Sequence, residues 1–328
     1  MPRYSRSFRQ WSSERDALAW GRKGVLCLLG TLFAAALLQS AAAQQASQTA
    51  MSSEGSARQI TWVLMNWPPF YMAKDDRSAQ SLKQRGEGAA ERMIAELIAH
   101  LPGYQHSFEV SNMQHVWAGF EAGRNYCYMS AARTPAHEKV AYLTPLTLAP
   151  MAALVVRSDR RAAMKLSEKT VSLKGLLTAR KDLAGYMAEG RSYGQEIESF
   201  LGGGDYNVRR FPVREQFDLM RQLDLGRTDY IFEFPPVVEY AQRRTPFQHT
   251  FDVIPFDDLP PLMTVYVACT RNAWGRDVIA DVAVAVKDAA RGAVFRNALK
   301  RWLSPELLRL DGGDMDRFYD ALAGGKLP

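Results

Sequence analysis

Residues 146–156 read LTLAPMAALVV, and residues 262–269 read LMTVYVAC. Each is a long apolar run, and neither is followed closely by a helical pattern. Elsewhere between residues 59 and 302, strand-like segments alternate with helical ones, which indicates an α/β fold with mainly parallel pairing. The two runs are therefore candidates for strands that pass between lobes. The chain leaves one α/β lobe at the first run, builds a second, and returns at the second. Two connecting strands between two lobes make a hinge with a cleft, and small ligands favour such clefts.

The segments around these runs support that plan. Residues 59–65 (QITWVLM) are strand-like and stop at Asn66-Trp67-Pro68-Pro69-Phe70-Tyr71, because two prolines cannot continue a central strand. Residues 74–87 are polar and read as a loop. Gly88 opens a helix whose apolar stripe is Ala89, Ala90, Met93, Ile94, Leu97, Ile98 and Leu101, ended by Pro102-Gly103. Strands are expected at 107–110 and 125–131, with a helix over 114–122 between them. In the second lobe, strands at 183–187, 208–213 and 229–234 alternate with helices near 173–177, 195–201 and 217–223; a further helix and strand follow to about 254. After the return, Trp274, Val278, Val282 and Val286 mark one face of a long helix, and residues 295–302 form another. The expected organisation is lobe one over 59–152 and 265–303, lobe two over 153–264, and a partly helical extension over 304–328.

The chain has 328 residues, enough for two lobes of ordinary size, and a formal charge of +6. Most of that excess lies in residues 1–43, where Arg3, Arg6, Arg9, Arg15, Arg22 and Lys23 face only Glu14 and Asp16. The remainder is nearly neutral, which removes the charge argument for nucleic acid as a partner. The same 43 residues read as an export signal: bases, a 15-residue apolar run at 24–38 (GVLCLLGTLFAAALL), then the small residues Ser40-Ala41-Ala42-Ala43 before Gln44. The run is short for a membrane span, which needs roughly 20 apolar residues. Residues 44–58 are small and polar and read as a flexible lead-in. A cleaved, exported, periplasmic monomer is expected. Of the three cysteines, Cys127 and Cys269 survive cleavage. In an oxidising compartment they either pair or stay as two buried thiols.

Several residues offer binding chemistry. Trp67, Phe70 and Tyr71 sit on a proline-stiffened loop at the carboxyl end of the first strand, where open α/β sheets bind ligands, and can stack on a flat or cationic group. Thr134 and Pro135 read as the cap and first position of a helix, with Arg133 and His137 beside it; the segment either meets an anion or is simply a capped helix. Gly190 to Gly194 precedes another helix, so its amides can meet an anion, with Arg191, Ser192 and Tyr193 adding polar groups; the alternative is a plain turn. Glu233 ends a strand between two phenylalanines. It holds a ligand amine, acts as a general acid, or is a surface carboxylate. No dinucleotide or phosphate-loop fingerprint, zinc spacing or nucleophile elbow occurs, so no cofactor, metal or catalytic residue is expected.

Taken in order, these motifs resemble the extracellular solute-binding proteins of family 3, which have the type II periplasmic-binding-protein fold. The resemblance runs from about residue 60 to 302. It rests on Trp67-Pro68-Pro69-Phe70, Gly88 at a helix start, Gly123-Arg124, Thr134-Pro135, Ala152 through Arg157, Gly226-Arg227-Thr228-Asp229, and Val265 through Arg271 before a long helix. The resemblance implies a two-lobed α/β fold of two mixed sheets flanked by helices and joined by two hinge strands. It implies a small-molecule ligand and an inner-membrane ABC permease or a membrane receptor as partner. It also brings the Cys127 and Cys269 strands together in lobe one, which favours a disulfide. The family's first-loop aromatic falls on Trp67. Its carboxylate-clamping arginine falls on His137, and its amine-holding acid falls on Phe234, next to Glu233. Both ends of an α-amino-acid clamp are thus altered, with Arg133 or Arg191 left to supply charge. The same fold includes exported lyases of the cyclohexadienyl-dehydratase type, for which Glu233 would be the acid.

Overall fold

The computed structural model describes residues 59–72, 88–166, 168–213, 215 and 217–326. The expected leader and lead-in, and the polar loop at 74–87, fall outside them. The first strand, β1 (Gln59–Leu64), is followed by a small hairpin of β2 (Asn66–Trp67) and β3 (Tyr71–Met72). Then come α1 (Ala89–Ala99), β4 (Gln105–Val110), α2 (Met113–Glu121), β5 (Tyr126–Ala131), α3 (Pro135–Val140) and β6 (Ala141–Pro150). The second lobe contains β7 (Ala153–Arg157), α4 (Leu173–Ala179), β8 (Gly185–Ala188), α5 (Gln195–Gly202), β9 (Val208–Phe211), α6 (Asp218–Asp224), β10 (Tyr230–Glu233), α7 (Pro235–Arg244) and β11 (Phe251–Ile254). The chain returns through β12 (Leu262–Thr270), α8 (Ala273–Ala289), α9 (Ala293–Lys300) and α10 (Pro305–Ala323).

Two five-stranded sheets result, ordered β4-β1-β5-β12-β6 and β11-β7-β10-β8-β9. In the first, β1 runs parallel to β4 and β5, while β12 is antiparallel to β5 and β6. In the second, β8 is parallel to β9 and β10, while β7 is antiparallel to β10 and β11. Both sheets are mixed because a chain that leaves and re-enters a lobe must add at least one strand in the reverse sense. Each sheet has its own core. Trp62, Ile94, Phe120 and Val282 are among the residues of the first, and Val155, Met220, Phe232 and Val238 are among those of the second.

The two apolar runs behave differently from one another. The first is divided between the sheets: β6 ends at Pro150 and β7 starts at Ala153. The second lies wholly in the first sheet, because β12 pairs with β6 from Leu262↔Pro150 to Thr270↔Ala141. The return crossing is therefore the segment before Leu262, three residues earlier than the expected lobe boundary. The crossings touch where the Met151 N–H donates to the Pro261 carbonyl at 2.9 Å.

The C-terminal tail is more regular than expected. It forms one 19-residue helix, capped by Ser304, that buries Met315, Tyr319 and Leu322 against the first core. Their i, i+4, i+7 spacing is that of one helical face. The Tyr319 hydroxyl hydrogen-bonds Thr147 Oγ1 on β6 at 2.6 Å.

Cys127 and Cys269 are register partners on adjacent strands, with Cα atoms 4.2 Å apart, and they form a disulfide. It closes a sequence separation of 142 residues. A cross-link over so long a loop stabilises by restricting the unfolded chain. Replacing both cysteines by serine should cost about 2–5 kcal/mol and lower the melting temperature by on the order of 5–15 °C in calorimetry. An unchanged melting temperature would show that the bond contributes nothing to stability.

Candidate functional site

The carboxyl ends of β1, β5, β8 and β10 lead into the segments that line a cleft between the two sheets. From the first lobe come Trp67 and Phe70. Their hairpin is held from behind by α1, whose first amides donate to its carbonyls: Ala89 N to Pro69 O at 3.0 Å and Ala90 N to Phe70 O at 2.9 Å. Gly88 is required there, since a Cβ would lie 2.5 Å from the Phe70 carbonyl oxygen. Glu91 Oε2 accepts from Gly88 N and Met72 N, tying the far end of the hairpin to the same helix. Rigid aromatic rings cost little entropy to present.

From the second lobe come Arg191, Ser192 and Phe234. Arg191 and Ser192 lie on the turn between Gly190 and Gly194, whose positive φ values of 73° and 101° suit glycine. Phe234 stands at the N-cap of α7, after β10. These side chains meet those of the first lobe across the cleft. The Phe234 ring lies 5.6 Å from Trp67 and 6.2 Å from Phe70, both edge-on, and Trp67 and Phe70 are 4.7 Å apart. The Arg191 guanidinium sits 4.4 Å from the Trp67 ring centroid.

Arg191 is also half of a buried ion pair. Its Nη1 donates to Glu233 Oε2 at 2.7 Å and to Oε1 at 3.0 Å. The two side chains are 12% and 5% exposed. Burial opposes the arginine's charge, but the Glu233 carboxylate more than offsets this and raises its pKa. Glu233 Oε1 also accepts from the Phe234 amide at 2.9 Å. With both oxygens engaged, Glu233 is not a free acid presented to the cleft, and the lyase reading loses its proton donor.

The remaining expected residues divide cleanly. His137 lines the cleft, stacked on Trp117 with ring centroids 3.6 Å apart and planes 7° from parallel. Its Nδ1 is 2.7 Å from the Ala132 carbonyl, so Nδ1 carries the proton and Nε2 is left as an acceptor. Burial lowers its pKa. Thr134 caps α3 by accepting from His137 N, the capping role its sequence context gives it. Arg133 does not supply charge to the cleft: it is 59% exposed and paired with Glu138. Tyr71 is buried beneath the cleft, stacked on Tyr128 and bonded to Ser130. Tyr193 is buried against Phe234, with its hydroxyl accepting from Ala188 N; burial raises its pKa to about 12.

Trp117, Met113, Met129, Met263 and Val265 also line the cleft. Sequence reading missed them because each falls inside a helix or strand pattern that accounts for an apolar residue without a ligand. The free volume is about 60 Å³. That is less than the roughly 150 Å³ that accommodates benzene, so loading a solute requires the lobes to part or side chains to move.

Three solved structures share this architecture. An amino-acid ABC transporter substrate-binding protein from Streptococcus pneumoniae, bound to L-arginine, superposes with a TM-score of 0.55 at 14% identity; the match covers 77% of this chain and 97% of that one. A probable amino-acid ABC transporter extracellular-binding protein from Bacillus subtilis gives 0.54 at 12% identity, covering 75% and 97%. The GluR0 ligand-binding core from Nostoc punctiforme, in complex with L-glutamate, gives 0.52 at 12% identity, covering 75% and 99%. The chain has the two-lobed solute-binding-protein fold. At these identities the likeness is one of fold alone. No protein-family model and no curated protein matches the sequence.

Within this binding-protein fold, the Arg191–Glu233 pair makes a direct prediction. Removing one partner of a buried ion pair leaves the other uncompensated, at a cost of about 3–5 kcal/mol. Glu233→Gln should lose about that much in urea unfolding. The double substitution Arg191→Met with Glu233→Leu should lose less, because apolar replacement of a whole buried pair is near neutral. Additive losses in the double variant would contradict the pairing.

Proposed function

We propose that this chain is an exported, monomeric solute-binding protein that captures a small molecule between its lobes by hinge closure. The captured form is then presented to an inner-membrane ABC permease. The observation that carries this reading is the cleft itself. Aromatic side chains from both lobes converge on it, at the carboxyl ends of strands from both sheets. The export leader, the near-neutral remainder of the chain and the shared fold agree with it. Among the described residues no helix is long and apolar enough to cross a membrane, and no cluster could hold a metal ion.

In this reading Trp67, Phe70 and His137 form the first-lobe wall, and Arg191, Ser192 and Phe234 form the facing wall. Glu233 holds Arg191 in place, Tyr193 supports Phe234, and Tyr71 and Thr134 support the first-lobe wall from behind. The hinge is the pair of crossings at residues 151–152 and 259–261, since residues 256–258 are bonded into the second lobe. Docking of the closed form on a membrane receptor would use the same capture step.

A thermal-shift screen over amino acids, organic acids, polyamines and aromatic metabolites tests the reading. A true ligand at 100 times its dissociation constant should stabilise the protein by about 2.7 kcal/mol. Trp67→Ala should weaken that ligand by about tenfold or more, consistent with loss of an aromatic contact and its buried area, while the protein stays folded. A screen in which no solute raises the melting temperature would count against capture.

A further inference from the structure

Three observations on the cleft restrict what it can hold, and they rest on the reading of the cleft as a capture site. The first concerns charge. Among the described lining residues Arg191 alone carries a full charge, and Glu233 already neutralises it from within the same lobe. Arg133 is turned to solvent. An α-amino acid brings a carboxylate and an ammonium into the cleft, and burying either without a partner is strongly unfavourable.

The second concerns hydrogen bonding. Most polar side chains on the wall are satisfied inside the protein. Tyr128 donates to Met65 Sδ, Ser130 to the Tyr71 hydroxyl, and Thr147 Oγ1 to the Leu148 carbonyl. Arg191 spends only Nη1 on Glu233, the Ser192 hydroxyl is engaged only as an acceptor from Gly194 N, and two further wall groups are also not satisfied within the protein. The Trp67 indole N–H is buried with no hydrogen-bond partner, a state that costs about 1–3 kcal/mol. His137 spends Nδ1 on Ala132, which leaves Nε2 as an acceptor. Trp67 thus offers a donor and His137 an acceptor, beside the remaining donors of Arg191 and Ser192.

The third is shape. The surrounding surface is aromatic and thioether: Trp67, Phe70, Trp117, Phe234, Met113 and Met129. Flat π systems pack well against such groups.

We propose that the cleft takes an uncharged planar aromatic solute carrying both a hydrogen-bond acceptor and a donor, of the hydroxyindole or purine-base kind, and discriminates against α-amino acids. The acceptor meets the Trp67 N–H and the donor meets His137 Nε2.

Isothermal titration of the purified protein with 5-hydroxyindole, adenine and hypoxanthine, against arginine, glutamate and cystine, tests this. At least one aromatic probe should bind at least about tenfold more tightly than every amino acid, given the uncompensated charges of the latter. Trp67→Phe keeps the ring but removes the N–H, and His137→Phe keeps the stack on Trp117 but removes the acceptor. Each should weaken the best aromatic probe by about tenfold, the scale of one lost hydrogen bond. Unchanged melting temperatures would confirm that both variants fold. Binding of arginine, glutamate or cystine with no aromatic binding would overturn the ligand class and leave capture standing. Aromatic binding that neither substitution alters would overturn the assigned donor and acceptor. No binding by any of the six, together with a blank thermal screen, would remove the capture reading and this inference together.

Discussion

Strands β6 and β12 are paired along their whole shared length, and they are the strands by which the chain leaves the first sheet and re-enters it. The architecture depends on this pairing. It fixes both crossings at the same edge of the first sheet, where Met151 N and Pro261 O join them. It forces the reverse-sense strand that makes the sheet mixed. It also brings Cys269 beside Cys127, so that the disulfide locks the returning strand to the centre of the sheet. Thr147 on β6 is in turn bonded to Tyr319, which anchors the C-terminal helix to the same strand. A rigid first lobe with two adjacent exits gives the second lobe a base about which to turn, the arrangement needed for hinge closure.

The character of the cleft follows from how the second lobe handles charge. A carboxylate at the end of β10 and a guanidinium on the turn after β8 are both nearly dry, and each is tolerable only because it faces the other. Their pairing leaves the lobe's contribution to the cleft close to neutral. It also places the guanidinium over Trp67 of the other lobe, a cation–π contact worth about 0.5–2 kcal/mol. The protein's own side chains thus bridge the lobes in the same place where a solute would. A solute entering there would have to replace those contacts.

Much of the fold was legible in the sequence because periodicity reports burial. The stripe from Ala89 to Leu97 is the buried face of α1, and the run 153–156 is a strand buried on both sides. The aromatic-proline loop was legible because prolines interrupt a strand at a place where α/β sheets bind ligands. The failures have a common origin. Periodicity says that a segment is buried but not which sheet buries it, so the run at 262–269 looked like a crossing although it lies wholly in sheet one. Composition says that Arg133, Arg191 and Glu233 are charged but not which of them meet. Arg133 found Glu138 five residues on, whereas Arg191 found Glu233 forty-two residues away. Trp117 was concealed because an aromatic residue on a helix face is ordinarily core, and Phe234 was read only as an altered end of an amino-acid clamp. Their part in the cleft exists only once His137 and Trp67 are brought against them.

Hinge capture is tested most directly by the distance across the mouth of the cleft. Lys139, two residues after His137 on the first lobe, and Ser199, on α5 of the second, are both exposed. Spin labels at these two positions, read by pulsed dipolar spectroscopy, should show a distance distribution that shifts to a single short separation when the bound solute is added. A distribution that stays the same in the presence of a solute proven to bind would contradict closure of the two lobes on a guest.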